Sequence, residues 1–325
     1  MNKRDSYIVE TFAVFQDVDA SILKLNPTME KYGYQFICIS IKEFESDFSH
    51  LVGLKKGFES KEITHLSDVD IYVSSEFIHA IINFYGNKFF GKTLKKNEFI
   101  LLKKLEDYEQ IVMNGSVNTS GAIKCLASLR SFSSVLLTQL RLLSVGPIYL
   151  LGVFQIEKIE RFVTSSMLGP TKHNTLMGDF DIQDEQADEF ERTFNANFTP
   201  TPLTELAINN YNLAYDITDQ KTRYVVLSIC LESLFNVSKD QITHTISRHL
   251  SLVISIDEQE FQSNYKRIKK LYGIRSTIVH GNSKNDDIGN DLYELFNLVR
   301  RAIIYCQRTN LDQKQLFDKL NAKGF

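Results

Sequence analysis

The chain has 325 residues, with 37 Lys and Arg against 40 Asp and Glu, a formal charge of −3, and 43% hydrophobic and 24% charged residues. That balance excludes global disorder, a collagen-like repeat and a coiled-coil rod, and the length suits two domains that each bury a core. No overall positive charge points to nucleic acid, so an RNA partner would have to be met by a local cluster of cations.

The first 20 residues are cationic and then briefly apolar, but Glu10, Asp17 and Asp19 break the run before a signal-peptide core is reached. A cytoplasmic protein is therefore expected. Tyr34 to Ile41 and Val69 to Val73 are short, β-branched and aromatic, as strands are. Asn97 to Met113 and Ile148 to Met167 are expected as helices. Between them, apolar residues at Leu126, Leu129, Leu136, Leu140 and Leu143 fall on one helix face. The most apolar stretch, Val135 to Phe154, contains Gln139, Arg141, Gly146 and Pro147. It is read as a buried helix stopping at the Gly-Pro pair rather than a membrane span, and no membrane partner is expected.

From Gly169 to Pro202 the texture changes to Gly-Pro, seven acids between Asp179 and Glu191, and then Asn and Pro. Such a segment buries little and marks a domain boundary. Its acids are read as a solvated linker or helix face, with a strip shielding a basic groove as the functional alternative. Beyond it, helices are expected from Leu203 to Ile217, with Thr201 as N-cap and Pro202 in the first turn. Others are expected at Lys221 to Phe235, Gln241 to Ile256, Glu258 to Val279, Ile288 to Cys306 and Leu311 to Leu320. The expected fold is mainly α. A mixed α+β N-terminal domain over 1–168 leads through an acidic Pro/Gly-containing linker over 169–202 to an antiparallel helical bundle over 203–325.

The four cysteines, Cys38, Cys125, Cys230 and Cys306, are too scattered for a disulfide framework or a zinc site. Motifs for P-loop ATPases, dinucleotide binding, zinc proteases and α/β-hydrolases are absent from the sequence. Asp68 and Asp70, in LSDVDIYV, have the Asp-x-Asp spacing with which a nucleotidyltransferase strand holds magnesium, but the Gly-Ser turn expected upstream is missing. A solvent-facing strand edge is the simpler reading for the pair.

The most informative stretch is YKRIKKLYGIRSTIVHG, Tyr265 to Gly281. Between Gln241 and Arg308 there are ten basic and seven acidic residues, so this segment is +3 while the chain is −3. The order LSICLESLF, HTISRHLSLVI, LYGIRSTIVHG and a last amphipathic helix resembles the HEPN superfamily, and within it the Apea-type HEPN domain. The resemblance covers about Leu203 to Arg308. Its defining motif, Arg, four to six residues, then His, is matched by Arg275 and His280. Many members carry Asn, Asp or His after the Arg, where this chain has Ser276.

The resemblance implies a metal-independent endoribonuclease without cofactor, acting on RNA, with tRNA as the substrate the family favours. It also implies a homodimer whose Arg/His pairs line a shared cleft, and a place in antiviral or toxin systems with the N-terminal half as sensor of an unknown trigger. An imidazole can move the protons of 2′-OH attack and a guanidinium can hold two phosphate oxygens, which fits His280 and Arg275 to those roles. Glu232 is read either as an orienting partner of Arg275 or His280, or as a buried ion pair to Arg248. His244 and His249 are assigned surface or packing roles, and Tyr272, Lys270, Asn282 and Lys284 are candidates to touch RNA. At about 100° per residue, Arg275 and His280 sit about 140° apart on a straight helix. Either the helix unwinds before Gly281, or the pair is completed across a dimer axis. A non-catalytic HEPN dimer that binds RNA, nucleotide or a protein is the alternative, and a nucleotidyltransferase on Asp68 and Asp70 the third reading.

Overall fold

The computed structural model describes residues 5–16, 18–40, 98–106, 108–113, 116–117, 120–158, 180–236, 240–281 and 288–323. These fall into two compact units, one ending at Ala196 and the other starting at Asn197.

The first unit is built on an antiparallel sheet whose central strand is β1, Asp5–Gln16. β2 (Tyr34–Ser40) pairs with β3 (Glu98–Lys104), and β3 and β4 (Tyr108–Met113) share one edge of β1. β4 takes Asp5 to Val9 of that edge and β3 takes Phe12 to Phe15. β5 (Ser116–Val117) extends β4, and β6 (Tyr149–Lys158) covers the other edge of β1. Asn97 to Met113 and Ile148 to Met167 thus form strands where described, not the helices expected. The reason is burial on both faces: Ile100 and Leu102 enter the core while Leu101 between them is buried on the opposite side. A short all-apolar run of this kind has no periodicity to tell strand from helix.

Ahead of β2 the chain makes a 3-10 turn at Ala20–Leu25 and a short helix α1, Asn26–Glu30. Helix α2 (Ser120–Leu143) lays Leu129, Leu136, Leu140 and Leu143 of the stripe read from the sequence on the core, with Leu126 partly buried and Phe132 added to them, and stops short of Gly146-Pro147. Of the two readings of the acids, linker and helix face, the described part of the segment shows the helix face, and Asp179–Ala196 belongs to the first unit rather than to a linker over 169–202. Residues Asp184–Thr193 form α3, whose Phe190 is 1% exposed in this core together with Phe180, Ile182 and Phe194. Phe194 meets Tyr32 and Phe132 edge-on at 5.1 and 5.9 Å, and Lys24 and Lys31 pair with Asp184 and Glu191 at 2.6 Å each. Lys31 holds the Glu191 carboxyl below its usual range. The acids are the wet face of an amphipathic helix.

The second unit consists, where described, of helices α4 (Glu205–Asp216), α5 (Gln220–Phe235), α6 (Ile242–Ile254), α7 (Glu258–Val279), α8 (Gly289–Thr309) and α9 (Gln313–Ala322). All match their expected spans to within a few residues. Asp219, Asp257 and Asp312 cap α5, α7 and α9 by accepting from the backbone N–H three residues on, at 2.7–2.8 Å. Thr201 does not cap α4 directly: Pro202–Thr204 make a turn and the helix begins at Glu205. α5 packs against all five other helices, which explains why it buries Tyr224, Leu227, Cys230, Leu231, Leu234 and Phe235 around most of its circumference. Among the described residues, no helix is long and apolar enough to cross a membrane.

Candidate functional site

α7 carries the residues singled out from the sequence, and its two faces separate them. Ile268 and Leu271 point into the bundle, where the Tyr224 hydroxyl of α5 donates to the Leu271 carbonyl at 2.8 Å. That bond fixes the rotation of α7 against α5. Arg267 is then brought against α8, where its Nε donates to the Glu294 carboxylate at 2.9 and 3.0 Å and its Nη2 to Asp291 at 2.7 Å. The charge of Arg267 is spent on the two α8 carboxylates, which reduces the basic surface counted from sequence.

One turn further on, Arg275 and Tyr272 converge on Glu232 of α5. Arg275 Nη2 lies 3.1 Å from Glu232 Oε1, the Tyr272 hydroxyl donates to the same oxygen, and the guanidinium carbon stands 5.8 Å from the Tyr272 ring centre. Both charged side chains are about three-quarters shielded, with exposures of 27% for Arg275 and 22% for Glu232. Of the two readings of Glu232, the partner of Arg275 is the one observed. Burial, and then the Glu232 carboxylate, push the Tyr272 phenol well above its ordinary value. Tyr272 is therefore a buried support for Arg275 and not an exposed platform for a base. Among the described residues Arg275 Nε is buried without a hydrogen-bond partner, so the guanidinium keeps donors beyond the one turned to Glu232.

His280 is different. α7 stays helical to Val279, His280 is its C-cap, and Gly281, at φ +70, turns the chain away in the left-handed region that glycine favours. The helix does not unwind early, so the offset of about 140° from Arg275 persists. The His280 side chain is exposed and makes no hydrogen bond or ion pair among the described residues, and within one chain the two motif residues do not meet. Ser276 and Lys270 are exposed on the same side as His280.

Arg248, expected to support the site, is engaged elsewhere. Its guanidinium donates to the Leu320 carbonyl at 3.3 Å, Asn321 Oδ1 at 2.9 Å and the Lys323 carbonyl at 3.4 Å, closing the C-terminus of α9. His249 beside it is 2% exposed, with Nε2 3.0 Å from Asn321 Oδ1 and Phe317 packed edge-on at 5.1 Å. His244 Nδ1 is 2.9 Å from the Tyr265 hydroxyl. His249 is packed in the core and His244 stands at the surface, the packing and surface roles expected. Asn282 and Lys284, and Asp68 and Asp70, lie outside the described residues. All four cysteines are free thiols, and burial pushes Cys230 upward and Cys306 up to about 12, so neither is poised as a nucleophile.

Sequence reasoning overlooked two features. One is Tyr272 as the second ligand of Glu232, signalled by its three-residue spacing from Arg275. The other is the exposure of Lys266 and Lys269 beside Lys270, on the face of α7 that ends in His280. Comparison with protein-family models, with curated proteins and with solved structures found no match for the chain.

Proposed function

We propose that the chain is a metal-independent endoribonuclease of the HEPN type, active as a homodimer through its C-terminal bundle. The observation that supports this reading is the division of labour on α7. Arg275 is half-buried and braced by Glu232 and Tyr272, while His280 sits at the helix end with an uncommitted imidazole. In this mechanism His280 takes the 2′-OH proton, the 2′-oxygen attacks the adjacent phosphorus, and the bond to the 5′-oxygen breaks as that oxygen is protonated. The products are a 2′,3′-cyclic phosphate and a 5′-hydroxyl. Arg275 holds the phosphoryl oxygens as charge builds on them. In this reading the cleft takes its Arg275 and His280 from two protomers, which the angular offset between them on one helix supports. The N-terminal unit restrains the nuclease until a trigger arrives, as an antiphage or toxin effector requires, and tRNA is the first substrate to try.

The test is incubation with total RNA in EDTA, wild type beside His280→Ala, followed by analysis of the fragment ends. Cyclic phosphate and 5′-hydroxyl ends are expected from wild type, as the whole chain or as the isolated bundle freed of restraint, and not from His280→Ala, whose thermal stability should be unchanged because the exposed His280 side chain makes no hydrogen bond or ion pair among the described residues. Intact RNA from both the whole chain and the isolated bundle would sink the enzyme reading. A second reading, a HEPN bundle that binds without cutting, is favoured by the ion pair that already occupies Arg275. RNA bound but intact would select it.

A further inference from the structure

The Glu232 carboxylate is shared between two side chains of α7, and it does not hold them alike. The Tyr272 hydroxyl donates a hydrogen bond to Oε1, whereas the Arg275 contact is an ion pair through Nη2, 3.1 Å from the same oxygen. Carboxylates hold arginine most firmly through two parallel N–H bonds. Arg267 makes that fork with Glu294 through Nε and Nη2. Arg275, whose Nε is buried without a partner among the described residues, does not.

A phosphodiester takes arginine by the same kind of fork. A guanidinium has two, Nη1 with Nη2 and Nε with Nη2, and both use Nη2, the nitrogen that Arg275 turns to Glu232. A phosphate held by two nitrogens therefore draws Arg275 off the carboxylate. Taken alone, that step would strand a negative charge only 22% exposed, the situation that makes breaking a shielded ion pair unfavourable. Tyr272 prevents it. The side chain is 8% exposed, and burial, then the carboxylate beside it, keep the phenol protonated and able to donate.

We propose that Tyr272 is a positioning residue: it retains Glu232 while Arg275 moves from that carboxylate to a backbone phosphate, so the ion pair of the free chain is a resting contact that the substrate exchanges. The phosphate as occupant rests on the nuclease reading, whereas the sharing of Glu232 is a matter of geometry alone. With Tyr272 in place, the occupied state of Arg275 is no obstacle to a phosphate. Without the hydroxyl, Glu232 would depend on Arg275 by itself, and the pair would have to be broken outright.

The experiment uses the whole chain and a fluorescent 2′-O-methyl RNA strand, which carries the phosphates but has no nucleophile. Affinity is measured for wild type, Tyr272→Phe, Glu232→Gln and the double variant, a cycle that isolates the coupling between the two residues. Tyr272→Phe keeps the buried ring and removes the donor, and it should bind about tenfold more weakly, the size of a hydrogen bond to a charged group. In the Glu232→Gln background the same change should leave affinity as it was, because no charge remains to hold Arg275. Equal loss in both backgrounds, no loss in either, or no binding by wild type overturns the proposal.

Cleavage of unmodified RNA in EDTA is scored on the same proteins. A raised KM with kcat kept is expected for Tyr272→Phe, since the complexes are alike once phosphate holds Arg275. A lowered kcat with KM and affinity unchanged would make Tyr272 a fixed brace, overturning the exchange while leaving the nuclease reading. The expected affinity cycle without cutting by wild type fails the nuclease reading alone. Should Tyr272→Phe not fold, wild type supplies the answer by NMR. The Arg275 Nε–H resonance, identified by its loss in Arg275→Lys, should shift when the strand binds, and an unmoved resonance in the bound protein overturns the exchange.

Discussion

At the scale of single residues, the arrangement around Glu232 carries the most information. A carboxylate inside an otherwise apolar helix must find partners, and here it finds a guanidinium and a phenol from the same face of α7. Glu232→Gln keeps an acceptor for Tyr272 but removes the charge that holds Arg275. It should lower unfolding stability by about 1 kcal/mol in urea titrations and reduce cleavage through a lower kcat, with full activity retained in Glu232→Asp only if the shorter arm still reaches. His249 gives a pH dependence of definite sign. Burial holds its imidazole below the ordinary value, outweighing the hydrogen bond to Asn321, so the unfolded chain binds the proton first. Stability is therefore fully present above the unfolded value of about 6.5 and falls as pH drops below it, levelling off once the native imidazole also protonates. Urea midpoints from about pH 7.5 to about pH 5 should fall more steeply for wild type than for His249→Gln. Equal slopes would remove His249 from the account.

At the scale of elements, periodicity decided what could be read in advance. Apart from the central α5, the bundle helices and α2 expose one side and bury another, and Asp219, Asp257 and Asp312 announce helix starts by their side chains. Strands β3, β4 and β6 were misread as helices, and β3 shows the reason, because a strand buried on both faces shows an apolar run without alternation. α3 was legible only as linker or helix face, and the helix face is the one observed. Seven acids obscured Phe190, although a single aromatic on the dry side is enough to dock a helix of ten residues. Phe190→Ala should cost about 3–5 kcal/mol of stability, measured by denaturant titration of the first unit's signal. A linker residue would cost almost nothing, so a change under about 0.5 kcal/mol would remove α3 from the core.

At the scale of the whole molecule, the division near Asn197 defines what can be separated. The bundle was expected to begin at Leu203, but the preceding residues clasp its last long helix. Thr201 N–H donates to Gln307 Oε1 at 3.0 Å, the Thr204 hydroxyl donates to the same oxygen, and Gln307 Nε2 donates to the Thr199 carbonyl at 2.9 Å. A fragment starting at Asn197 should unfold cooperatively and be more stable than one starting at Leu203 by about 1–2 kcal/mol, read from urea midpoints. Equal midpoints would show that the clasp contributes nothing.

The sequence by itself determined the helical second unit, its caps, the face of α2 and the Arg275–His280 pairing as a candidate, because each rests on spacing within a few residues. Tertiary structure alone decided three things that depend on partners distant in the chain: that Glu232 takes Arg275 and Tyr272 while Arg248 goes to the end of α9, that β1 recruits β3, β4 and β6, and that the acidic segment folds onto the first core. Local sequence sets which conformations are cheap, whereas burial and charge pairing across long separations choose among them.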